Sequence, residues 1–175
     1  MSKSLVHQKI CMLGIFAVGK TSLTRRFISG IFDDTYLSTI GVKVSQKLLA
    51  PIETTPGEFV QYNFLIWDIE GFEKSSQQLH SYLTGATGAL LIADLTRPET
   101  IQSVPDMLAT LSKAAPDARP VLIGNKADLI SADSETSQKL KKMAKKLDLP
   151  LFLTSAKTGE NVEASFNKLG LLIAT

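Results

Sequence analysis

Apolar residues fall into short runs along the chain, and between them lie longer stretches in which apolar and polar positions recur at helical spacing. That is the pattern of strand-helix-strand units stacked on a mostly parallel sheet. The runs predict strands at Lys9 to Gly14, Val42 to Ala50, Gln61 to Asp68, Ala89 to Asp94, Pro120 to Gly124 and Pro150 to Thr154. Between the second and third, Thr54-Thr55-Pro56-Gly57 carries a Pro-Gly pair suited to a turn, so these two should form an antiparallel hairpin. The other connections need helical crossovers. Helices are predicted at Lys20 to Ser29, Lys74 to Thr84, Pro98 to Ala114, Ser134 to Leu147 and Val162 to Leu172. Pro105 should break or kink the third of these. The expected architecture is α/β, with six strands, one of them antiparallel, and helices on both faces.

Within Ser134 to Leu147, the residues Leu140, Met143, Ala144 and Leu147 recur at the spacing of one buried face. Lys139, Lys141, Lys142, Lys145 and Lys146 fill most of the remaining circumference without interleaved aromatics, which marks a solvated face and not a lipid or RNA site. The composition agrees: 44% apolar content in 175 residues can fill one core, and a net charge of +2 makes no field that argues for a nucleic-acid partner. Residues 1–8 read as an extension ahead of a single domain spanning 9–175. No segment has the length of a signal peptide or membrane span, and neither terminus offers a lipidation residue. The expectation is a cytoplasmic monomer without an anchor of its own, brought to a membrane only by a partner or a further tail. Cys11 is the only cysteine, which rules out an internal disulfide and a cysteine metal cluster, and its apolar surroundings predict a packed small hydrophobe. His7 and His80 have no second histidine at ligand spacing.

The strongest chemical signal is Gly14-Ile15-Phe16-Ala17-Val18-Gly19-Lys20-Thr21, which reads G-x-x-x-x-G-K-T directly after a strand and opens a helix. Glycines at those positions let the backbone curl until successive N–H groups point at phosphate oxygens, and the helix that follows adds the positive end of its dipole. Lys20 can reach the β and γ phosphates, and the Thr21 hydroxyl is placed to occupy one position around Mg²⁺. Asn125-Lys126-Ala127-Asp128 follows the next-to-last strand. An aspartate there can accept two hydrogen bonds from neighbouring N–H groups, a pair that guanine offers and adenine does not. Ser155-Ala156-Lys157 follows the last strand at the same carboxyl edge of the sheet, where open α/β folds bind ligands.

Taken with Tyr36-Leu37-Ser38-Thr39-Ile40-Gly41-Val42, Trp67-Asp68-Ile69-Glu70-Gly71 and Thr154 to Val162, these motifs make the chain resemble a Ras-superfamily small GTPase of the Rab branch, in order from about Lys9 to the end. The resemblance implies a P-loop G domain in which Phe16 to Thr21 and Ser22 surround the phosphates, Phe32 packs on guanine and Tyr36 covers the phosphates. It implies that Thr39 ligates Mg²⁺ beside Thr21, that Asp68 holds a metal-bound water, and that the Gly71 N–H meets the γ-phosphate. Lys126 would lie along the base beside Asn125 and Asp128, with the Ala156 N–H on guanine O6 between Ser155 and Lys157. Lys20 and Gly71 would assist hydrolysis. Effectors, exchange factors and activating proteins would read Tyr36 to Val42 and Gly71 to Tyr82, as two segments ordered by one phosphate.

Three positions depart from the family. Its water-positioning glutamine is Phe72, a small phosphate-loop residue is Phe16, and an alanine is Glu70. A phenyl ring cannot orient water, Phe16 would obstruct an arginine supplied in trans, and Glu70 sets a carboxylate near the γ-phosphate. Potassium rescue is not supported, because the loop has Ala17 where asparagine would be needed. Glu70 is therefore considered as a replacement general base or water-orienting group. Two readings stand: a switch that binds GTP and GDP and hydrolyses GTP slowly or with help, and a pseudo-GTPase scaffold that binds nucleotide without turnover. A P-loop kinase or ATPase is disfavoured by Asn125 and Asp128.

Overall fold

A computed structural model of the chain describes residues 3–35, 39–72 and 77–175. The elements run β1 (Lys3–Leu13), α1 (Lys20–Ser29), β2 (Val42–Leu48), β3 (Ile52–Thr55), β4 (Glu58–Ile69), α2 (Gln77–Leu83), β5 (Gly88–Asp94), α3 (Val104–Ala114), β6 (Arg119–Asn125), α4 (Glu135–Lys146), β7 (Leu151–Leu153) and α5 (Val162–Ala174). The sheet order is β2-β4-β1-β5-β6-β7, with β3 also on β4. Strands β1, β4, β5, β6 and β7 pair in parallel, while β2 and β3 run antiparallel along one edge of β4.

The expected α/β fold is present, with a seventh strand. The predicted second strand ends at Leu48 instead of Ala50 and restarts at Ile52. Pro51 intervenes and cannot donate to a ladder, so the edge breaks there. The Pro-Gly turn forms as expected: Thr55 pairs with Glu58 across Pro56 and Gly57, and Gly57 takes φ +83°, a conformation glycine adopts without penalty. At the other end, residues 3–8 continue β1 and pair with β4 from Lys3 opposite Phe59. The third helical region divides ahead of Pro105, into a 3-10 turn at Pro98–Ser103 and α3. Proline sits there in the first turn of α3, where its missing N–H would have had no helical partner. Ser134 caps α4 by accepting the Ser137 N–H at 3.1 Å. Residues 74–76 of the predicted second helix lie outside the described residues.

Alternation along the central strands sends Ile10, Met12, Phe64, Ile66, Leu90, Ile92, Val121 and Ile123 to the face covered by α1 and α5. Cys11, Leu13, Leu91, Ala93 and Leu122 go to the opposite face, under α2, α3 and α4. Cys11 is fully buried and desolvation pushes its thiol up to about 12, so it packs as an inert hydrophobe. The lysines of α4 lie on its outer side, Lys139 pairing with Glu135 at 2.7 Å. Across the other layer, Phe27 of α1 stacks on Phe166 of α5 with ring centroids 3.9 Å apart and planes within 2°.

Phe166 is fully buried, and truncating it would leave a cavity that joins two helices and the sheet. Phe166→Ala is expected to lower unfolding free energy by about 3–5 kcal/mol in urea titration. A change under about 1 kcal/mol would show that this stack is not a structural joint.

Candidate functional site

The carboxyl ends of β1, β5, β6 and β7 open on a cleft of about 300 Å³. Its floor is the loop between β1 and α1. Helix α1 begins at Lys20, and its N-cap, Gly19, has φ 103° and no side chain to cap the first amides. A Cβ at Gly19 would meet Asn125 Nδ2 at 2.3 Å, so only glycine lets that asparagine close over the loop. Ala17 also has a left-handed backbone, φ 61°, a strain of about 1 kcal/mol for a residue with a side chain.

Three successive carbonyls of this loop are held from outside. Arg97 Nη2 donates to Phe16 O at 2.6 Å, Lys126 Nζ to Ala17 O at 3.1 Å and Asn125 Nδ2 to Val18 O at 3.0 Å. With carbonyls drawn outward, the intervening amides turn inward. Arg97 and Lys126 converge on the fully buried Asp94, at 3.1 Å and 2.7 Å from Oδ2, while Thr96 donates both its N–H and its hydroxyl to Oδ1. Burial alone would push the Asp94 carboxyl up; the bonds from Lys126 and Thr96 outweigh it and hold the group below the ordinary value.

At one end of the cleft, Thr21, Thr39 and Asp68 meet. The two threonine hydroxyls are 2.8 Å apart, and Thr21 Oγ1 donates to Asp68 Oδ2 at 2.6 Å. Asp68 Oδ1 is buried with no partner among the described residues, and burial raises the carboxyl despite the help of Thr21 and Lys20. Lys20 is also buried and donates to Gly14 O and Ile15 O at 2.8 and 3.1 Å. Desolvation lowers its ammonium to about 8, with Asp68 opposing that shift.

At the other end, Ser155 Oγ donates to Asp128 Oδ1 at 2.6 Å, and Phe32, Lys157 and Ala156 line the wall. The Ala156 N–H, expected on a base, donates to Asn125 Oδ1 at 3.3 Å. Arg26 secures this loop from α1 by donating to Ala156 O at 2.7 Å and to Lys157 O.

The structure thus gathers Phe16, Ala17, Gly19, Lys20, Thr21, Ser22, Phe32, Thr39, Glu70, Gly71, Asn125, Lys126, Asp128, Ala156 and Lys157 around one cleft. Val18 turns its side chain into the core, and Ser155 and Asp68 act from just behind the wall. Tyr36 lies outside the described residues. Glu70, considered above as a base, has its Oε2 on the Gly41 N–H at 2.9 Å. The Phe72 ring packs against the α2–α3 side of the core and its N–H donates to Gly14 O at 2.8 Å, while Phe16 is 59% exposed. Sequence reasoning missed Asp94, Arg97 and Arg26. An acid closing the apolar run Gly88–Asp94, with threonine two residues on, was the one available signal; Arg26 gave none, because its partner Ala156 in this loop lies 130 residues away.

The Lys20 shift sets a pH dependence. Its folded value of about 8 lies below the ordinary 10.5, so above pH 8 the folded state sheds a proton that the unfolded state retains, and stability rises with pH through that window. Nucleotide-free protein should therefore gain stability relative to Lys20→Met between pH 8 and 10.5 in urea titrations; parallel curves for the two proteins would exclude a buried ammonium.

Comparison with known proteins accords with this geometry. Residues 9–174 match the sequence profile of the Ras family. The chain is 34% identical over 176 residues to Ras-related protein Rab-4 of Dictyostelium discoideum, covering all of this chain and 83% of that one. It is 30% identical over 171 residues to Ras-related protein Rab-13 of Mesocricetus auratus, covering 97% and 81%. No helix among the described residues is long and apolar enough to cross a membrane. With a glycine-capped loop ahead of α1, two hydroxyls meeting a buried aspartate, and an aspartate held at the far end of one cleft, the chain belongs to the Ras family of small GTPases and is Rab-like within it.

Proposed function

We propose that the cleft binds GTP or GDP with Mg²⁺, and that the chain is a nucleotide-dependent switch whose own hydrolysis is slow. One observation carries this reading: the glycine-capped end of α1, the Thr21–Thr39–Asp68 meeting point and the Ser155-held Asp128 all face the same 300 Å³ space.

The residues fit both groups. Asp68 Oδ1 is a buried acceptor awaiting a partner, and with two hydroxyls beside it the donor set is all oxygen, as a hard divalent cation requires. The ion would be held by Thr21 and Thr39, with Asp68 through water, and when bound would neutralise phosphate charge. Lys20 is desolvated beside the loop and would exchange two carbonyl bonds for phosphate oxygens. Asp128, fixed by Ser155, would accept from guanine N1 and N2; adenine would leave that carboxylate short of donors. Lys126, anchored on Asp94, would run its aliphatic stem beneath the base, and Phe32 would cover it.

Slow hydrolysis follows from what stands near the reacting end. Phe72 carries no group that can orient water, and one oxygen of the Glu70 carboxylate, Oε2, already accepts the Gly41 N–H. That second fact favours the pseudo-GTPase alternative, a scaffold that keeps its nucleotide. Partners would read Thr39–Val42 and Gln77–Tyr82 among the described residues; Ile40 is 90% exposed, and the rings of Trp67 and Tyr82 lie 6.3 Å apart, centroid to centroid.

Purified chain should carry guanine nucleotide on chromatography of its denatured extract. Its preference for GTP over ATP should fall by about two orders of magnitude in Asp128→Ala, and retention of that preference would mean the base end is misassigned. Single-turnover phosphate release should be slow in the native chain and about tenfold faster or more in Phe72→Gln. Equal rates would place the limit elsewhere, and no release from either protein would establish the scaffold reading.

A further inference from the structure

Glu70 meets one residue twice. Its N–H donates to Gly41 O at 2.8 Å, and the Gly41 N–H donates back to its Oε2 at 2.9 Å. The backbone bond holds the two strands' ends in place, so the side chain closes a small ring and gives up little additional freedom to do so. The next two residues are fixed on their other side. Gly71 lies so close to the phosphate loop that a Cβ there would meet Phe16 N at 3.0 Å, and Phe72 N–H donates to Gly14 O at 2.8 Å. Residues 70–72 therefore tie the Gly41 segment to the phosphate loop through the chain's own atoms.

Charge gives this link a chemical meaning. Glu70 lines the cleft beside Lys20, Thr39 and Gly71, and its negative charge acts on the Lys20 ammonium in the same sense as Asp68. The end of the cleft meant for a third phosphate thus already holds two carboxylates. A diphosphate stops short of that end; a triphosphate brings further negative charge into it, at an energetic cost that only metal and Lys20 can offset. An alanine in place of Glu70 would provide neither the bond nor the charge.

We infer that Glu70 takes over the task of the terminal phosphate: it holds Thr39–Val42 against Glu70–Phe72 when diphosphate is bound, and it biases the cleft toward GDP over GTP. The inference rests on the guanine-nucleotide reading above. The state that partners recognise would then be present with GDP, making the chain a binder whose occupied form is signal enough.

The test uses the full chain with saturating Mg²⁺, Glu70→Gln and Glu70→Ala. Glutamine keeps an acceptor oxygen without the charge, and alanine removes both. In equilibrium competition against a fluorescent GDP analogue, native protein should bind GDP about tenfold more tightly than GTP, and both variants should bring the ratio to within about threefold of unity. In the GDP complexes, the Gly41 amide should exchange slowly with solvent in the native protein and Glu70→Gln, and rapidly in Glu70→Ala, as read by NMR. An unchanged ratio in Glu70→Gln, or rapid Gly41 exchange in native protein, overturns the inference. If Glu70→Ala does not fold, the Glu70→Gln ratio and the native exchange rate still decide it. Binding of GDP and GTP with equal affinity overturns this inference alone, whereas no binding of either overturns the nucleotide reading with it.

Discussion

The cleft depends on where three carbonyls point. Phe16 O, Ala17 O and Val18 O are each claimed by a side chain from the carboxyl ends of β5 and β6, namely Arg97, Lys126 and Asn125. A peptide unit is planar, so fixing the oxygen on one side fixes its N–H on the other. Two of the three claimants are cations that converge on Asp94, a carboxylate with no exposure to solvent. Removing Asp94 would leave Arg97 and Lys126 with a mutual repulsion in place of a shared partner, so the loop's inward face is maintained by a buried charge it never touches directly.

The same cleft contains groups that the fold alone does not satisfy. Asp68 is buried with one oxygen that has no partner among the described residues, Lys20 is desolvated far enough to weaken its hold on a proton, and Ala17 occupies a left-handed backbone. Each costs free energy in the protein by itself, and under the proposed function each would be relieved or put to use by an anion and a cation arriving together. Sites of this kind bind tightly because the unfavourable terms were incurred in folding and not in binding. The two apolar layers, including the Phe27–Phe166 stack, supply the packing against which that strain is held.

Much of this was legible along the chain, for a physical reason. The G-x-x-x-x-G-K-T motif is eight consecutive residues between a strand and a helix, and local backbone geometry follows from local sequence, so Gly14 to Thr21 could be read directly. Asn125 and Asp128 could be placed because each follows an apolar run that reads as a strand. What could not be read depends on separation in the chain. Arg26 reaches Ala156 across 130 residues and Arg97 reaches Phe16 across 81, and nothing near either arginine marks the distant carbonyl. Residues 3–8 of β1 escaped because Leu5 and Val6, on opposite faces, are both exposed, which removes the alternation that announces a strand. The seventh strand escaped because Pro51 hides the fact that two pieces share one edge of β4.

At Phe72 the packing of the core and the chemistry of the cleft meet. In a timer, the residue after the D-x-x-G glycine must be polar and free to reach water. Here its ring belongs to the core beside α2 and α3, and its N–H is held by Gly14 O, the carbonyl that also receives Lys20. Swinging that position toward the cleft would expose apolar surface and break a backbone bond, so the motion that catalysis asks for is opposed by the packing that gives the segment its place. Under the proposed function, the lifetime of each state is then set less by chemistry on the phosphate than by nucleotide release, which must loosen the carbonyl clamp at Arg97, Lys126 and Asn125. A partner that acts on this chain would gain most by reaching that clamp, whose Arg97 and Lys126 side chains are each one-third exposed.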